Sequence, residues 1–436
     1  MTIWEGYANH SFGRELQAIS QRLQRHPRIH QWAAFDLIDE NTKDTGRKGM
    51  TVDSIIRAAI IKQAMNLSYE RLAFEIEDSQ SVRAFTRIDR RVSAAALQAV
   101  ISRIKATTWE KINRALLGSA QQDGLELGRQ TRTDATVMET NIHEPSDSTL
   151  LEDAQRTMVR FLRWGREEMG LDLAWVNHGR ICRKLVRQIQ GSSRKVSKPK
   201  NYKRLLEYVR FTRCCLSSMQ TQMVRQPKTR TWHQEVEALL PLVDGVTEQT
   251  QKRVLEGQSV PASEKIVSLF EPHTDIIVKG KRKVQFGHKL NLTTGTSGLV
   301  IDLVVHQGNP PDSSTVKTMI ERQTQVYGIP PRQISFDGGY ASKANLEEAK
   351  ALGVKDVAFH KRRGLKVSAM TKSEWVYRKL INFRAGIEGN ISALKRRYGW
   401  YRCSWKGWEG FQSYAWASVV AYNLITMARM SMGPAP

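Results

Sequence analysis

The sequence predicts an α/β protein in which a mixed-sheet domain is combined with a helical N-terminal domain and a large helical insertion. Apolar residues repeat at helical spacing through residues 1–125, and a basic helical stretch follows. From residue 273 apolar and polar residues alternate as in strands. The chain has 436 residues, more than one ordinary hydrophobic core uses, so several domains are expected.

The charge balance of the chain indicates its class of partner. There are 67 Lys and Arg against 43 Asp and Glu, a formal net charge of +24. Such an excess favours a polyanion, first of all nucleic acid, because each neutralised phosphate releases a counterion. An anionic membrane is the second candidate. The N-terminus lacks the order of a signal peptide, and the most apolar stretch, 414–430, is interrupted by polar residues, so no membrane partner is expected.

The cysteines indicate a reducing environment. None of Cys182, Cys214, Cys215 and Cys403 forms a CxxC pair or a zinc-binding spacing. Reduced thiols are therefore expected rather than a disulfide framework, which fits a cytoplasmic, nucleoid-associated protein.

The N-terminal residues 1–125 read as short helices with tight connections. Apolar residues fall on one face after each of three predicted cap residues, Thr51, Ser68 and Ser93. Such helices suit a helix-turn-helix-like DNA-binding unit. Periodicity alone, however, favours a generic helical bundle.

The insertion, residues 148–270, is predicted to be helical and basic. From Arg180 to Arg230 there are fifteen Lys or Arg and a single acidic residue, Glu207. This one-sided charge favours a DNA-backbone surface over an ordinary solvated face. Residues 191–199 are predicted to form a mobile loop. The candidate DNA contacts are Lys198, Lys200, Lys203 and Arg204.

The mixed-sheet domain is assigned to residues 126–147 and 271–436. The threonine-rich segment 130–142 favours a strand. The later predicted elements are a hairpin (284–292 and 299–305), a helix (313–327), a strand (333–337), a helix (342–352), a strand (356–359) and further helices. With the insertion set aside, this is the order of an RNase H-like fold, in which residues at neighbouring strand ends converge on one edge of the sheet.

Three carboxylates are placed to meet at that edge. Asp134 lies in the first strand, Asp337 ends a later strand before two glycines that permit a sharp turn, and Glu388 lies on a late helix. Such a set can hold two Mg²⁺ ions, for which Mn²⁺ can substitute, about 4 Å apart for in-line displacement at phosphorus. Alternatives remain: Asp337 as a turn cap, Glu388 in surface salt bridges, and Glu139 or Asp147 in place of Asp134.

Cations accompany these carboxylates. Arg384, Glu388 and Lys395 share one helix face, so the two cations are candidates to bind DNA phosphates. The other candidate DNA contacts here are Arg396, Arg397, Lys361, Arg362 and Arg363. The aromatic residues of 398–416 could stack on bases, but core packing of the last helices is the preferred interpretation.

These residues resemble a known family. Arg384, Glu388 and Lys395 match the R-x3-E-x6-K signature around the third catalytic residue of a large group of DDE transposases, with Ile381 at the usual tyrosine position. The segments 336–340 and 133–143 resemble that group's second and first aspartate motifs, and 286–289 and 308–312 its second and third strand regions. The N-terminal segment 68–85 also matches. The resemblance covers most of the chain except about 150–270 and is greatest to the ISNCY group of insertion sequences.

The resemblance implies Mg²⁺-dependent cleavage at element ends and strand transfer into target DNA. Asp134, Asp337 and Glu388 would be the catalytic and metal-binding residues. The N-terminal domain would bind terminal inverted repeats in double-stranded DNA, and a homodimer is expected when two ends are paired. Two other hypotheses stay open: a non-catalytic DNA-binding protein derived from such an enzyme, and a structure-specific nuclease of the same fold.

Overall fold

A computed structural model describes residues 6–38, 49–168, 170, 174–191, 197–278 and 283–432. The chain divides into two compact units. One, here called the core unit, contains the residues up to 140 and those from 288 onward; the other, the insertion unit, contains residues 141–287.

Helices fill the N-terminal part of the core unit, as predicted. In the described residues before the first strand these are α1 (Ser11–Gln24), α2 (Arg28–Leu37), α3 (Val52–Ala64), α4 (Tyr69–Asp78), α5 (Gln80–Thr86), α6 (Ala94–Ile101) and α7 (Ala106–Gln122). All three predicted caps are confirmed. The hydroxyls of Thr51, Ser68 and Ser93 accept hydrogen bonds from the third backbone N–H that follows each of them.

The sheet is mixed, as predicted. Its strands are β1 (Gln130–Glu139), β2 (Asp275–Ile277), β3 (Gln285–Thr294), β4 (Val300–Val305), β5 (Gln333–Phe336) and β6 (Asp356–Phe359). The order is β2-β3-β1-β5-β6, and β4 also pairs with β3. The pairs β2–β3 and β3–β4 are antiparallel, whereas β1–β5 and β5–β6 are parallel. The short strand β2 was not predicted, since three residues are too few to produce a detectable alternation.

Helices cover the sheet and complete the core unit. They are α12 (Val316–Tyr327), α13 (Lys343–Ala351), α14 (Val367–Met370), α15 (Glu374–Arg397) and α16 (Gly407–Met432). The N-terminal helices share one hydrophobic cluster with β3, β4 and α16. A second cluster lies between β5, β6 and the helices α12 to α15. The N-terminal helices and the sheet are thus packed around a common core.

Helix α16 explains why the most apolar segment of the chain contains polar residues. The Asn423 amide pairs with the backbone of Val300 on β4, accepting from its N–H at 2.8 Å and donating to its carbonyl at 2.8 Å. Buried polar groups need such partners. In the part of the chain that is described, no helix is long and apolar enough to cross a membrane.

Two other sequence expectations are confirmed. The aromatic side chains of Tyr398, Trp400, Trp405 and Tyr414 are buried in the core, as the packing interpretation predicted, although Tyr401 is exposed. All four cysteines are free thiols.

The insertion unit contains four helices among its described residues: α8 (Asp147–Glu167), α9 (Gly179–Gly191), α10 (Ser197–Gln222) and α11 (Arg230–Thr250). Their apolar faces form a hydrophobic cluster of their own. The loop prediction for 191–199 is wrong at both ends, because Gly191 ends α9 and Pro199 lies in the first turn of α10, where proline is tolerated. Residues 192–196 lie outside the described residues.

Candidate active site

Two of the predicted carboxylates are brought together by the register of parallel strands. On β1, Thr133 is paired with Phe336 of β5, so Asp134 and Asp337 are the next residues along two adjacent strands. Phe336 is in turn paired with Phe359 of β6. The following residue, His360, places its Nδ1 3.9 Å from an Asp337 oxygen. The edge of the sheet therefore gathers Asp134, Asp337 and His360, of which the sequence analysis had placed only the two carboxylates there.

The turn after Asp337 is shaped by close packing. The chain turns here in a short 3-10 helix, Gly338–Tyr340. Neither Gly338 nor Gly339 has a positive φ, so this turn does not depend on the conformational freedom of glycine. A Cβ on Gly338 would lie 2.6 Å from Cβ of Lys361, and one on Gly339 would lie 2.7 Å from Oδ2 of Asp312. Both glycines are needed because other side chains cross the backbone here. The Asp337 side chain makes no capping hydrogen bond, which disfavours the turn-cap interpretation.

Helix α15 brings the third carboxylate to this edge, and Arg132 ties the helix to β1. The Arg132 guanidinium donates to the carbonyl of Phe383 at 2.7 Å and to Oδ1 of Asn390 at 2.9 Å. Its Nε donates to Oγ1 of Thr294 on β3 at 2.9 Å. One buried side chain thereby fixes β1, β3 and the part of α15 that carries Glu388.

Gly386 makes this contact possible. A Cβ at residue 386 would collide with the Arg132 guanidinium, whereas a Cβ on Gly389 would meet no atom within 4 Å. Only Gly386 has a close neighbour, and it is a side chain.

A single guanidinium, that of Arg384, contacts all three carboxylates. Its Nη1 lies 3.2 Å from Oδ2 of Asp134 and 3.8 Å from Oδ1 of Asp337, and its Nη2 lies 3.2 Å from Oε1 of Glu388. The Arg384 side chain is only 9% exposed, while that of Glu388 is 69% exposed. Nε of Arg384 is buried and has no hydrogen-bond partner among the described residues.

The donor set fits a divalent cation in its chemistry. Carboxylate oxygens are the ligands that hard cations such as Mg²⁺ take. Here the neutralising charge comes from Arg384, and within the described ranges no group of three or more acidic, His or Cys side chains is arranged to hold a metal ion. The carboxylates are therefore assembled around a guanidinium, and an ion would have to take its place.

The carboxylates of the site affect the pKa of a buried tyrosine, Tyr340. Burial, and then the charges of Asp312, Asp134 and Asp337, raise the pKa of the Tyr340 hydroxyl well above its usual range. That hydroxyl has no hydrogen-bond partner among the described residues. Asp312 in turn forms an ion pair with Lys289.

The rival carboxylates lie elsewhere. Glu139 lies five residues after Asp134, which places it on the opposite face of a regular strand, and it pairs with Arg402 at 3.4 Å. Asp147 belongs to the insertion unit and pairs with Arg253 at 2.9 Å. Within the part of the chain that the structure describes, neither Glu139 nor Asp147 contacts Arg384.

The predicted DNA-contacting cations differ in accessibility. Arg384 is buried among the carboxylates, and Lys395 is half-buried with its Nζ 6.0 Å from the Tyr401 ring. The exposed members in the core unit are Arg396, Arg397, Lys361, Arg362 and Arg363. In the insertion unit Lys200, Lys203 and Arg204 are exposed on α10 and Lys198 is half-buried.

Sequence reasoning missed the part played by Arg132 and gave no role to Lys289 and Asp312. A signal for Arg132 was present, because it precedes Asp134 by two residues and so shares its face of β1. A cation two residues from an acidic residue, on the same face of a strand, indicates a polar contact on that face. Its partners on α15 could not be read from local spacing.

Fold and site together define an α/β protein in which three carboxylates from two strands and a helix meet at one edge of a mixed sheet. Residues 249–424 match the family model described as the Transposase DDE domain. This segment is less than half of the chain; it contains Asp337, Arg384 and Glu388 but begins after Asp134. The chain has no significant match among curated proteins or solved structures. The family match supports a DDE transposase, and such enzymes generally use divalent metal ions and bind DNA.

Proposed function

We propose that this protein is an insertion-sequence transposase that binds terminal inverted repeats, cleaves DNA at them and transfers the ends to target DNA. Asp134, Asp337 and Glu388 are its catalytic, metal-binding residues. The observation that carries the proposal is the contact of one guanidinium, that of Arg384, with all three carboxylates. Residues separated by 250 positions converge there, next to the last residue pair of the parallel strands β1 and β5.

The strand arrangement supports an RNase H-like catalytic domain. With β2 left aside, the strand order is β4-β3-β1-β5-β6. The pair β4–β3 in its first half is antiparallel, and the pairs β1–β5 and β5–β6 in its second half are parallel. The motif similarity to the ISNCY group supports the insertion-sequence assignment. Ile381, at the usual tyrosine position, packs against the hydrophobic cluster of β5 and β6.

Each residue of the site has a separate task. The three carboxylates would hold two Mg²⁺ or Mn²⁺ ions, which when bound supply charge neutralisation and activation of the attacking oxygen. Arg132 positions the helix of Glu388 against β1. The exposed cations Lys361, Arg396 and Arg397 hold DNA phosphates near the carboxylates, since phosphate contacts fix register without reading sequence.

The other parts of the chain would supply DNA binding and pairing. The helices α1 to α7 are proposed to recognise the terminal inverted repeats, and the insertion unit to hold DNA backbone. Because transposition joins two ends, the active form would be a homodimer on paired ends.

An excision assay tests this function. A plasmid carrying the gene's own flanking DNA is incubated with purified protein and Mg²⁺ or Mn²⁺, and wild type is compared with Asp337→Asn. Release of a segment by wild type alone is expected, together with DNA binding by both. Loss of DNA binding in Asp337→Asn would indicate that this residue is structural.

The products separate the alternatives. Hydrolysed ends without joined products would identify a structure-specific nuclease. Binding of the flanks without cleavage in either metal would identify a non-catalytic DNA-binding derivative. One observation favours the non-catalytic DNA-binding derivative: Arg384 neutralises the acidic cluster.

A further inference from the structure

We propose that the insertion unit contains a dedicated DNA-backbone site, the α8–α9 cleft. This deepens the proposed function, on which it rests, and it differs from the basic end of α10 that the sequence singled out. The cleft lies between α8 and α9 and has a volume of about 550 Å³. Its arginine residues are Arg156, Arg160, Arg163, Arg180 and Arg183.

The arginines of α8 form a short stripe. Arg156, Arg160 and Arg163 follow one another at spacings of four and three residues, so they share one helix face. Glu152 and Glu167 continue the same face at its two ends, which confines the positive charge to the middle. The stripe is about 10 Å long. A stripe of this length can lie along only a few consecutive phosphates of one DNA strand.

Three of these arginines are available to a ligand. Arg156 pairs with Asp153 at 2.8 Å, and Arg183 with Glu152 at 3.7 Å. Within the part of the chain that the structure describes, the other three have no ion-pair partner and are exposed; they are Arg160, Arg163 and Arg180. A guanidinium offers a planar fork of donors that matches a phosphate, which makes arginine the preferred residue for such contacts.

Two uncharged polar side chains that line the cleft are a second indication that it binds a ligand. Gln155 and Trp164 line it, and the Gln155 amide and the Trp164 indole N–H are buried. Neither group has a hydrogen-bond partner among the described residues. Buried polar groups without partners are uncommon and mark places that a ligand or an ordered water completes.

The chemistry of the cleft favours duplex DNA as its partner. The chain carries a net charge of +24, and the matched family acts on DNA. The cleft presents several guanidiniums on adjacent helices, and these are donors suited to phosphate oxygens. Its contacts are of the kind that hold DNA regardless of sequence.

The test measures binding of the full-length protein to a labelled duplex of unrelated sequence, in EDTA, over a series of salt concentrations. The triple variant Arg160→Gln/Arg163→Gln/Arg180→Gln removes the three available cations. Loss of three phosphate contacts should lower the slope of log affinity against log salt by about 2 to 3. Affinity should fall at least tenfold, a drop of ~1.4 kcal/mol or more.

Two control variants accompany it. Arg210→Gln/Lys228→Gln/Arg230→Gln removes the same charge from exposed positions of the insertion unit outside the cleft, and its slope should change by less than about one. Replacing the three cleft arginines by lysine should retain most of the affinity. Equal unfolding midpoints establish that the variants are folded.

Three results would overturn the proposal: an unchanged slope in the cleft variant, an equal loss in the charge control, or a selective loss of single-stranded RNA binding with duplex binding intact. Because EDTA prevents cleavage, the outcome does not depend on catalysis. A protein that binds DNA through the cleft but fails the excision assay would disprove only the transposase function.

Discussion

Arg384 of α15 and Asp134 of β1 form an ion pair of 3.2 Å, although 250 residues separate them in the chain. The same guanidinium reaches Asp337 and Glu388. The assembled site is therefore held by a cation that belongs to the protein. A divalent ion has to compete with it for the same carboxylate oxygens.

This competition leads to the first prediction. In Arg384→Gln the three carboxylates lose their neutralising partner, so the gain from binding a divalent ion increases. Affinity for Mn²⁺ in the absence of DNA should rise by about tenfold, which corresponds to about 1.4 kcal/mol. Titration calorimetry measures it. Arg396→Gln, an exposed arginine of the same helix, serves as the charge control, and equal affinities of the two variants would contradict the prediction.

Glu388 can be compared with a similar residue on its own helix. Glu388 and Glu374 are both exposed on α15, and each pairs with an arginine four residues away. Glu388→Gln should reduce DNA cleavage by at least about 10²-fold, as expected when a group that neutralises transition-state charge is lost. Glu374→Gln should leave it unchanged. Single-turnover cleavage rates of the two variants test this. A similar loss of cleavage in both would mean that the charge of the helix, and not the position of Glu388 in the site, determines the rate.

Replacing the two glycines of α15 by alanine, one at a time, should have opposite effects on the stability of the protein. Gly386→Ala places a methyl group against the Arg132 guanidinium and should destabilise the protein by about 1–3 kcal/mol. Gly389→Ala meets open space and should stabilise it by up to about 1 kcal/mol through helix propensity. Urea unfolding gives both values. A stabilising Gly386→Ala would show that Arg132 is not held against the helix.

A buried lysine should make stability depend on pH. Nζ of Lys62 lies 4.8 Å from the Tyr69 ring centre and 5.8 Å from that of Tyr414, and burial lowers its pKa to about 8. Above pH 8 the folded chain has released this proton while the unfolded chain, with a pKa near 10.5, retains it. Stability should therefore rise from pH 8 towards pH 10, by at most about 3 kcal/mol.

The variant Lys62→Met checks this dependence. It should remove the rise, whereas Lys111→Met, an exposed lysine of α7, should retain it. Unfolding by urea is measured between pH 7.5 and 9.5. Cysteines and tyrosines of the unfolded chain also begin to ionise in this range, so the contribution of Lys62 is the difference between the wild-type and Lys62→Met curves. Parallel curves for wild type and Lys62→Met would rule out the buried lysine as the cause.

Local patterns in the sequence are enough to predict most of the helices and strands, their order along the chain and the residues whose type suits catalysis. Helical spacing after Thr51, Ser68 and Ser93 fixed helix starts, because a cap hydrogen bond spans three residues. Alternation located β3 and β4. The position of Asp337 at the end of its strand and that of Asp134 within the first strand also followed from local patterns.

The tertiary structure alone decided which groups touch. Arg384 was expected to hold DNA phosphate but lies among the carboxylates. Gly386 is explained by Arg132, and Gly338 by Lys361, through contacts between residues far apart in the chain. Periodicity reports which face a residue occupies, whereas these contacts depend on how separate elements pack. The physical reason is that packing is set by the three-dimensional fit of distant side chains, which no local spacing encodes.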